Sequence, residues 1–184
     1  MDRVPEHVVT VIDEAYYEVM GDPPDTLRFV RAGRNVILLR TFSKIQGLAG
    51  LRIGYGLGPE ELIGVLHKTR QPFNANAIAQ AGAVAGLLDD GHQRRTKQVT
   101  DEGRAYLQAE FARMKLEFVP SHANFVLVRV GDGNAVFQKM LEKPSFTGCV
   151  SSLRTCAGGI VSSTRPPDDR RCSAASSSWA VTST

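Results

Sequence analysis

Two short apolar runs that each end on polar groups constrain this chain more than anything else in it. Residues 8–12, Val-Val-Thr-Val-Ile, are mostly β-branched and show no polar alternation, the pattern of a strand covered on both faces in a parallel sheet. They stop at Asp13. Residues 35–39, Asn-Val-Ile-Leu-Leu, form a second such run, and residues 51–55 can supply a third, shorter one. Ligands of open α/β sheets gather at the carboxyl ends of strands, so Asp13 and the turn at residues 41–44 are expected on one edge. The expected fold class is α/β.

The segments between and after these runs read as helices. Gly58-Pro59-Glu60-Glu61 is a helix start, with proline in the first turn and acids at the positive end of the dipole, and Leu62, Ile63 and Leu66 are expected to face inward. A second helix covers residues 76–88 and is closed by Asp89-Asp90-Gly91. Residues 93–115 read as a long amphipathic helix with Tyr106, Leu107 and Phe111 on its buried stripe. Beyond it, residues 117–130 give a strand, a turn and a longer strand, and Asn134 is expected to cap a helix running to residue 141. This α+β pattern differs from the first half and puts a lobe boundary inside the long helix, with residues 1–92 on one side and a smaller part, 93–143, on the other. From residue 144 Ser and Thr become dense and Arg165-Pro166-Pro167-Asp168-Asp169-Arg170-Arg171 breaks any element, so residues 144–184 are expected to be a disordered tail.

Bulk properties exclude several function classes. A chain of 184 residues can bury a real core. Its net charge of +3, with acids interleaved among the bases, argues against nucleic acid as a partner. No apolar run approaches the ~20 residues of a membrane span, and the N-terminus lacks the basic-then-apolar pattern of a secretory signal, so the expected location is cytoplasmic and no membrane partner is expected. Cys149, Cys156 and Cys172 form no C-x-x-C pair and have no histidine cluster beside them, which argues against a metal or disulfide framework. His67, His92 and His122 stand apart, and exposed or capping roles are expected for them.

The chemistry concentrates in residues 39–56, which place one lysine, Lys44, among hydroxyls, glycines and an arginine directly after a strand-like run. That combination suits an aldehyde cofactor bearing a phosphate. With Asp13-Glu14-Ala15-Tyr16 upstream, it resembles the pyridoxal 5'-phosphate (PLP) site of the aspartate-aminotransferase superfamily, and within it most closely the histidinol-phosphate aminotransferases. Arg70-Gln71-Pro72-Phe73-Asn74-Ala75-Asn76 and Ser121-His122-Ala123-Asn124-Phe125-Val126 favour that branch, and the resemblance covers approximately residues 8–141. It implies a partial PLP-dependent-transferase large domain with a mostly parallel sheet, followed by a smaller α+β lobe. It also implies amino transfer between histidinol phosphate and 2-oxoglutarate in histidine biosynthesis, and a homodimer in the full-length family.

Each residue then has an expected role. Lys44 resembles the Schiff-base lysine, whose freed amine moves a proton between the substrate α-carbon and the cofactor's C4' carbon. Asp13 resembles the carboxylate that keeps the pyridine nitrogen protonated, and Tyr16 the phenol at the ring oxygen. Arg52 carries a permanent charge and a planar fork of donors suited to a phosphate, with the Thr41 and Ser43 hydroxyls completing the cup. Packing roles are expected for Asn74 and Asn124. Singly, each residue reads more readily as a solvated side chain, a cap or a turn; the ordered set carries the reading.

The sequence also departs from the family. Its members are much longer, and their preceding segment supplies a phosphate-binding turn, an aromatic that stacks on the ring, an asparagine near the ring oxygen and a tyrosine that reaches across the dimer. The C-terminal arginine that grips substrate has no convincing counterpart, since Arg154 and Arg165 stand in different surroundings. The tail reflects either a change of reading frame near Lys143 or natural divergence. Weak or no turnover by this chain alone is therefore expected, together with exposed strand edges and apolar helix faces. Other readings are an aromatic aminotransferase or a decarboxylase on the same scaffold, and a non-catalytic remnant or interaction module. An arginine-rich nucleic-acid binder rests on the tail alone.

Overall fold

A computed structural model describes residues 1, 3–142, 154–156 and 159–163, the last two stretches as backbone. The chain divides into two compact units, Met1–Gln93 and Arg94–Thr184. In the first, β1 (Thr10–Asp13), β2 (Val36–Thr41) and β3 (Gly54–Leu57) form a sheet in the order β1-β2-β3. The β1 and β2 strands run parallel, with Thr10 opposite Val36 and Asp13 opposite Leu39, while β3 returns antiparallel with Gly54 opposite Thr41. Connecting the parallel pair is a 3-10 turn, Tyr17–Val19, and a short helix α1 (Leu27–Arg31).

The central strand carries the core, with Val36, Ile37 and Leu38 buried. β1 does not have the two-sided burial that its composition suggests: Val9 and Val11 are exposed on one face, and the strand lies at the sheet edge. The third strand also starts later than expected. Residues Ala49–Leu51 form a 3-10 turn that ends on Arg52 in the left-handed region, which delays pairing until Gly54. Gly54 has a packing reason: a Cβ there would lie 2.6 Å from the Arg40 carbonyl oxygen. The atoms it would meet are the backbone of the paired strand at Arg40 and Thr41, which cannot swing aside, so Gly54→Ala is expected to destabilise the chain by about 1–3 kcal/mol in urea unfolding.

Helix α2 (Glu60–Thr69) begins with two acids as expected, but Leu66 is exposed, leaving Leu62 and Ile63 half-buried. α3 (Ala77–Leu88) is capped by the Asn76 side chain, which accepts from the Ala79 N–H at 2.8 Å. Ala79 and Ala83 face inward, whereas Ile78, Val84 and Leu88 remain exposed. The Asp89 carboxylate accepts from the His92 N–H at 2.8 Å, so it starts α4 (Asp90–Arg113) in addition to closing α3.

The second unit packs Phe111, Val126 and Val128 into a core that Leu107, Phe118 and Met140 complete. Tyr106 lies on the exposed side of α4, one position away from this stripe. Strand β4 (Phe118–Val119) pairs antiparallel with β5 (Phe125–Arg129). Asp132, rather than Asn134, caps helix α5 (Gly133–Leu141), accepting from the Ala135 N–H at 3.0 Å; Asn134 sits inside the first turn.

Two strands fall within the stretch where disorder is expected. β6 (Arg154–Cys156) pairs with β7 (Gly159–Ser163), and β7 pairs antiparallel with β5. The physical reason lies in Gly159-Ile160-Val161, a β-branched segment that satisfies the open edge of β5. The rest of that expectation lies outside the described residues, as do Cys149, Cys172, Arg165 and the question of reading frame at Lys143.

Candidate active site

Parallel pairing brings the carboxyl ends of β1 and β2 side by side, and the Glu14 N–H extends the ladder by donating to the Leu39 carbonyl at 2.8 Å. Past each end the chain turns on a side-chain oxygen. The Asp13 carboxylate accepts from the Ala15 N–H at 3.0 Å, and the Thr41 hydroxyl accepts from the Ser43 N–H at 3.1 Å. Such local bonds replace the ladder where the strand stops. The first turn presents Tyr16 and the second presents Lys44.

The loop after β2 is pinned. Phe42 and Ile45 are buried, and Ser43 and Lys44 stand half-exposed between them. The Phe42 N–H donates to Ile53 at 3.3 Å, the Leu48 N–H to Phe42 at 2.9 Å, and the Gly47 N–H to Lys44 at 3.0 Å with Gly47 at φ +71°. A left-handed residue at that point of a tight turn favours glycine. A ring nitrogen of His92 lies 3.1 Å from the Ile45 carbonyl. His92 is therefore half-buried against the lysine loop, not simply an exposed or capping residue.

Three of the six predicted site residues converge. The Lys44 Nζ lies 4.8 Å from the centroid of the Tyr16 ring, within cation–π range. Burial, followed by the negative charge of Asp13, holds the Tyr16 phenol above its ordinary pKa, so the side chain stays protonated and able to donate. Thr41 and Ser43 meet each other in the turn before Lys44. Arg52 belongs to the same loop and is exposed, with its Nη1 donating to the Ala49 carbonyl at 2.8 Å. Its φ of +53° is strained for a residue with a side chain. Arg52→Gly is expected to stabilise the fold by about 0.5–1 kcal/mol in urea unfolding, while weakening anion binding at the loop.

Glu14 and Arg40 lie within the sequence motifs, yet pattern alone assigns them no role. Glu14 is buried, accepts from the Thr26 hydroxyl, and receives the Arg40 Nε at 2.8 Å. The Arg40 guanidinium also lies 3.8 Å from the Tyr17 ring centroid. Burial works against its charge, but hydrogen bonds with Glu14 and Tyr55 outweigh burial and hold its pKa above the ordinary guanidinium value. Two opposite charges at the ends of otherwise apolar runs are the signal from which this pair could have been found.

Glu18 lies beside the same cluster. Burial raises its pKa above 4.5, with the Glu14 charge adding to the rise and Arg40 and a backbone hydrogen bond partly offsetting it. A carboxyl whose folded pKa is raised contributes full stability below its unfolded pKa and loses that contribution as pH rises through the folded one. Glu18→Gln is therefore expected to stabilise the chain at pH 7 and to lose that advantage at pH 3, as read from urea midpoints at the two pH values.

A separate open concavity of about 700 Å³ follows the loop after α2, with His67, Arg70, Phe73 and Gln80 in its wall. None of the six predicted residues lines it. Asn74 serves there as an acceptor for the Arg70 Nη1 at 3.0 Å.

Comparison with known proteins places this geometry in a family. The model of "Aminotransferase class I and II" matches residues 1–163, extending beyond residue 141 into β7. A histidinol-phosphate aminotransferase of Akkermansia muciniphila is 54% identical over 143 residues, covering 78% of this chain and 39% of that protein. One from Moorella thermoacetica is 47% identical, again covering 78% of this chain and 38% of its own length. Among solved structures, the histidinol-phosphate aminotransferase of Sinorhizobium meliloti in complex with pyridoxal-5'-phosphate superposes with a TM-score of 0.73 at 29% identity, covering 89% of this chain and 46% of that one. The chain thus spans well under half the length of the curated relatives it matches. No helix among the described residues is long and apolar enough to cross a membrane. On a family match that runs through nearly all of its described length, this chain belongs to the class I and II aminotransferases.

Proposed function

We propose that this chain carries the lysine-bearing part of a PLP-dependent aminotransferase site, acting between histidinol phosphate and 2-oxoglutarate in histidine biosynthesis. The observation that carries the reading is the Lys44 amine over the Tyr16 ring, with the Asp13 carboxylate close enough to shift that phenol. The residues fit the group by their chemistry: an amine for an aldehyde, a carboxylate for a pyridinium nitrogen, a protonated phenol for a ring oxygen, and hydroxyls with a guanidinium for a phosphate. PLP, when bound, supplies an electron sink for the bond pair released at the substrate α-carbon.

The rest belongs to the protein. Lys44 would hold the aldehyde carbon through its amine and, when freed, would take a proton from the substrate α-carbon and return it at the carbon that bore the aldehyde. Asp13 keeps the ring nitrogen protonated, because a carboxylate facing it favours the charged form. Tyr16 donates to the ring oxygen and orients the ring. Arg52, Thr41 and Ser43 would hold the phosphate, Arg52 once its fork leaves the Ala49 carbonyl. A cytoplasmic homodimer completed by the remaining part of the fold is the working assembly on this reading.

Amino-donor preference tests the substrate. The chain loaded with PLP is mixed in single turnover with histidinol phosphate, phenylalanine or threonine phosphate, and the keto product or carbon dioxide is identified. Amino transfer from histidinol phosphate above the other donors supports the reading; decarboxylation, or preference for phenylalanine, overturns it.

A further inference from the structure

The ends of β1 and β2 are joined by a buried tie that no step of the proposed chemistry uses. Glu14 follows Asp13, and Arg40 precedes Thr41, so the pair links the positions next to the two turns that present Tyr16 and Lys44. Glu14 engages both of its carboxylate oxygens: one accepts from the Thr26 hydroxyl and the other from Arg40 Nε at 2.8 Å. Arg40 in turn packs on Tyr17, the residue after Tyr16, and stands opposite Tyr55 in the β2–β3 ladder. One carboxylate thus gathers β1, the segment before α1, and β2. A buried ion pair is a weak source of net stability, because desolvation consumes most of its attraction, but its directional bonds favour a single register.

We infer that Glu14 and Arg40 are positioning residues that set the separation between the Asp13–Tyr16 turn and the Lys44 turn. The inference rests on the proposed cofactor reading only in naming Asp13 and Lys44 as the groups that need holding. The tie acts through backbone: moving Glu14 displaces Asp13 and Tyr16, and moving Arg40 displaces the start of the lysine loop. Glu14→Gln keeps the shape and removes the charge; Arg40→Lys keeps the charge and removes the fork that binds through Nε.

The test uses the full chain without PLP, with labelled lysine and with methyl-labelled valine and leucine observed by NMR. A Lys44 side chain over the Tyr16 ring has ε-methylene protons displaced by the ring current, and their signal is assigned by its loss in Lys44→Ala. Glu14→Gln is expected to remove more than half of that displacement and Arg40→Lys a smaller part, while the methyl signals of Val36 and Leu38 stay in place. Should Glu14→Gln fail to fold, Arg40→Lys decides alone. Wild-type displacement in the folded variants overturns the inference, and so does a wild-type chain with no displacement at all. PLP is then added to separate the two claims. Loss of displacement in the variants together with no PLP on Lys44 of the wild type leaves the tie standing and removes the cofactor reading. PLP attachment of equal affinity in wild type and Glu14→Gln removes the tie and leaves the cofactor reading.

Discussion

Lys44→Ala is expected to abolish covalent uptake of PLP and to leave the fold intact. The loop that carries Lys44 is held by the buried side chains of Phe42 and Ile45 and by backbone hydrogen bonds, none of which involves the lysine amine. Removing that amine forfeits a half-exposed cation–π contact with Tyr16, a loss of about 0.5–1 kcal/mol. The chemical loss is far larger. Attachment disappears altogether, because no other group in the turn is an amine, and the proton-transfer component alone accounts for about a 10²–10⁴-fold fall in any residual transamination. Absorbance on PLP titration measures attachment and urea unfolding measures stability. Equal attachment in wild type and variant would remove Lys44 from the chemistry.

Arg40→Met is expected to destabilise the chain more than Gly54→Ala or Lys44→Ala, by about 3–5 kcal/mol in urea unfolding. The magnitude follows from what remains behind. The Glu14 side chain is only 4% exposed and Arg40 16%, so removing the guanidinium leaves a carboxylate without its ionic partner in a place water hardly reaches. The hydrogen bond from Thr26 cannot neutralise it. Replacing both members, Glu14→Gln with Arg40→Met, is expected to restore much of the loss, since no buried charge is then stranded. The Arg129–Glu117 pair is the control: both side chains are 75% exposed, and breaking it is expected to cost within about 1 kcal/mol. Similar losses for Arg40→Met and Arg129→Met would show that burial of the first pair has no energetic weight.

Much of the candidate site's geometry was legible because it is local. The turn at residues 41–44, the Asp13–Tyr16 spacing and the apolar runs before them are contiguous, and strand ends in a parallel pair meet by topology. The acids opening α2 were readable for the same reason. What escaped depends on longer-range partners. Periodicity placed Leu66 and Tyr106 inward, but burial is decided by what packs against a helix, and the described residues leave both side chains exposed. The delay of β3 to Gly54 follows from left-handed Arg52, a conformation that composition does not signal. Glu14 and Arg40 lie 26 residues apart, and their bond becomes visible only when β1 and β2 are paired. In the Ser-rich tail, overall polarity concealed the Gly-Ile-Val segment that β5 recruits.

The most direct test of the cofactor reading is peptide mapping of the full chain after PLP loading and borohydride reduction. The convergence of Asp13, Tyr16 and Lys44 predicts that the reduced pyridoxyl group lies on Lys44 in the wild type, and that no peptide carries it at comparable occupancy in Lys44→Ala. Modification spread over several lysines, or concentrated on a residue other than Lys44, would contradict it.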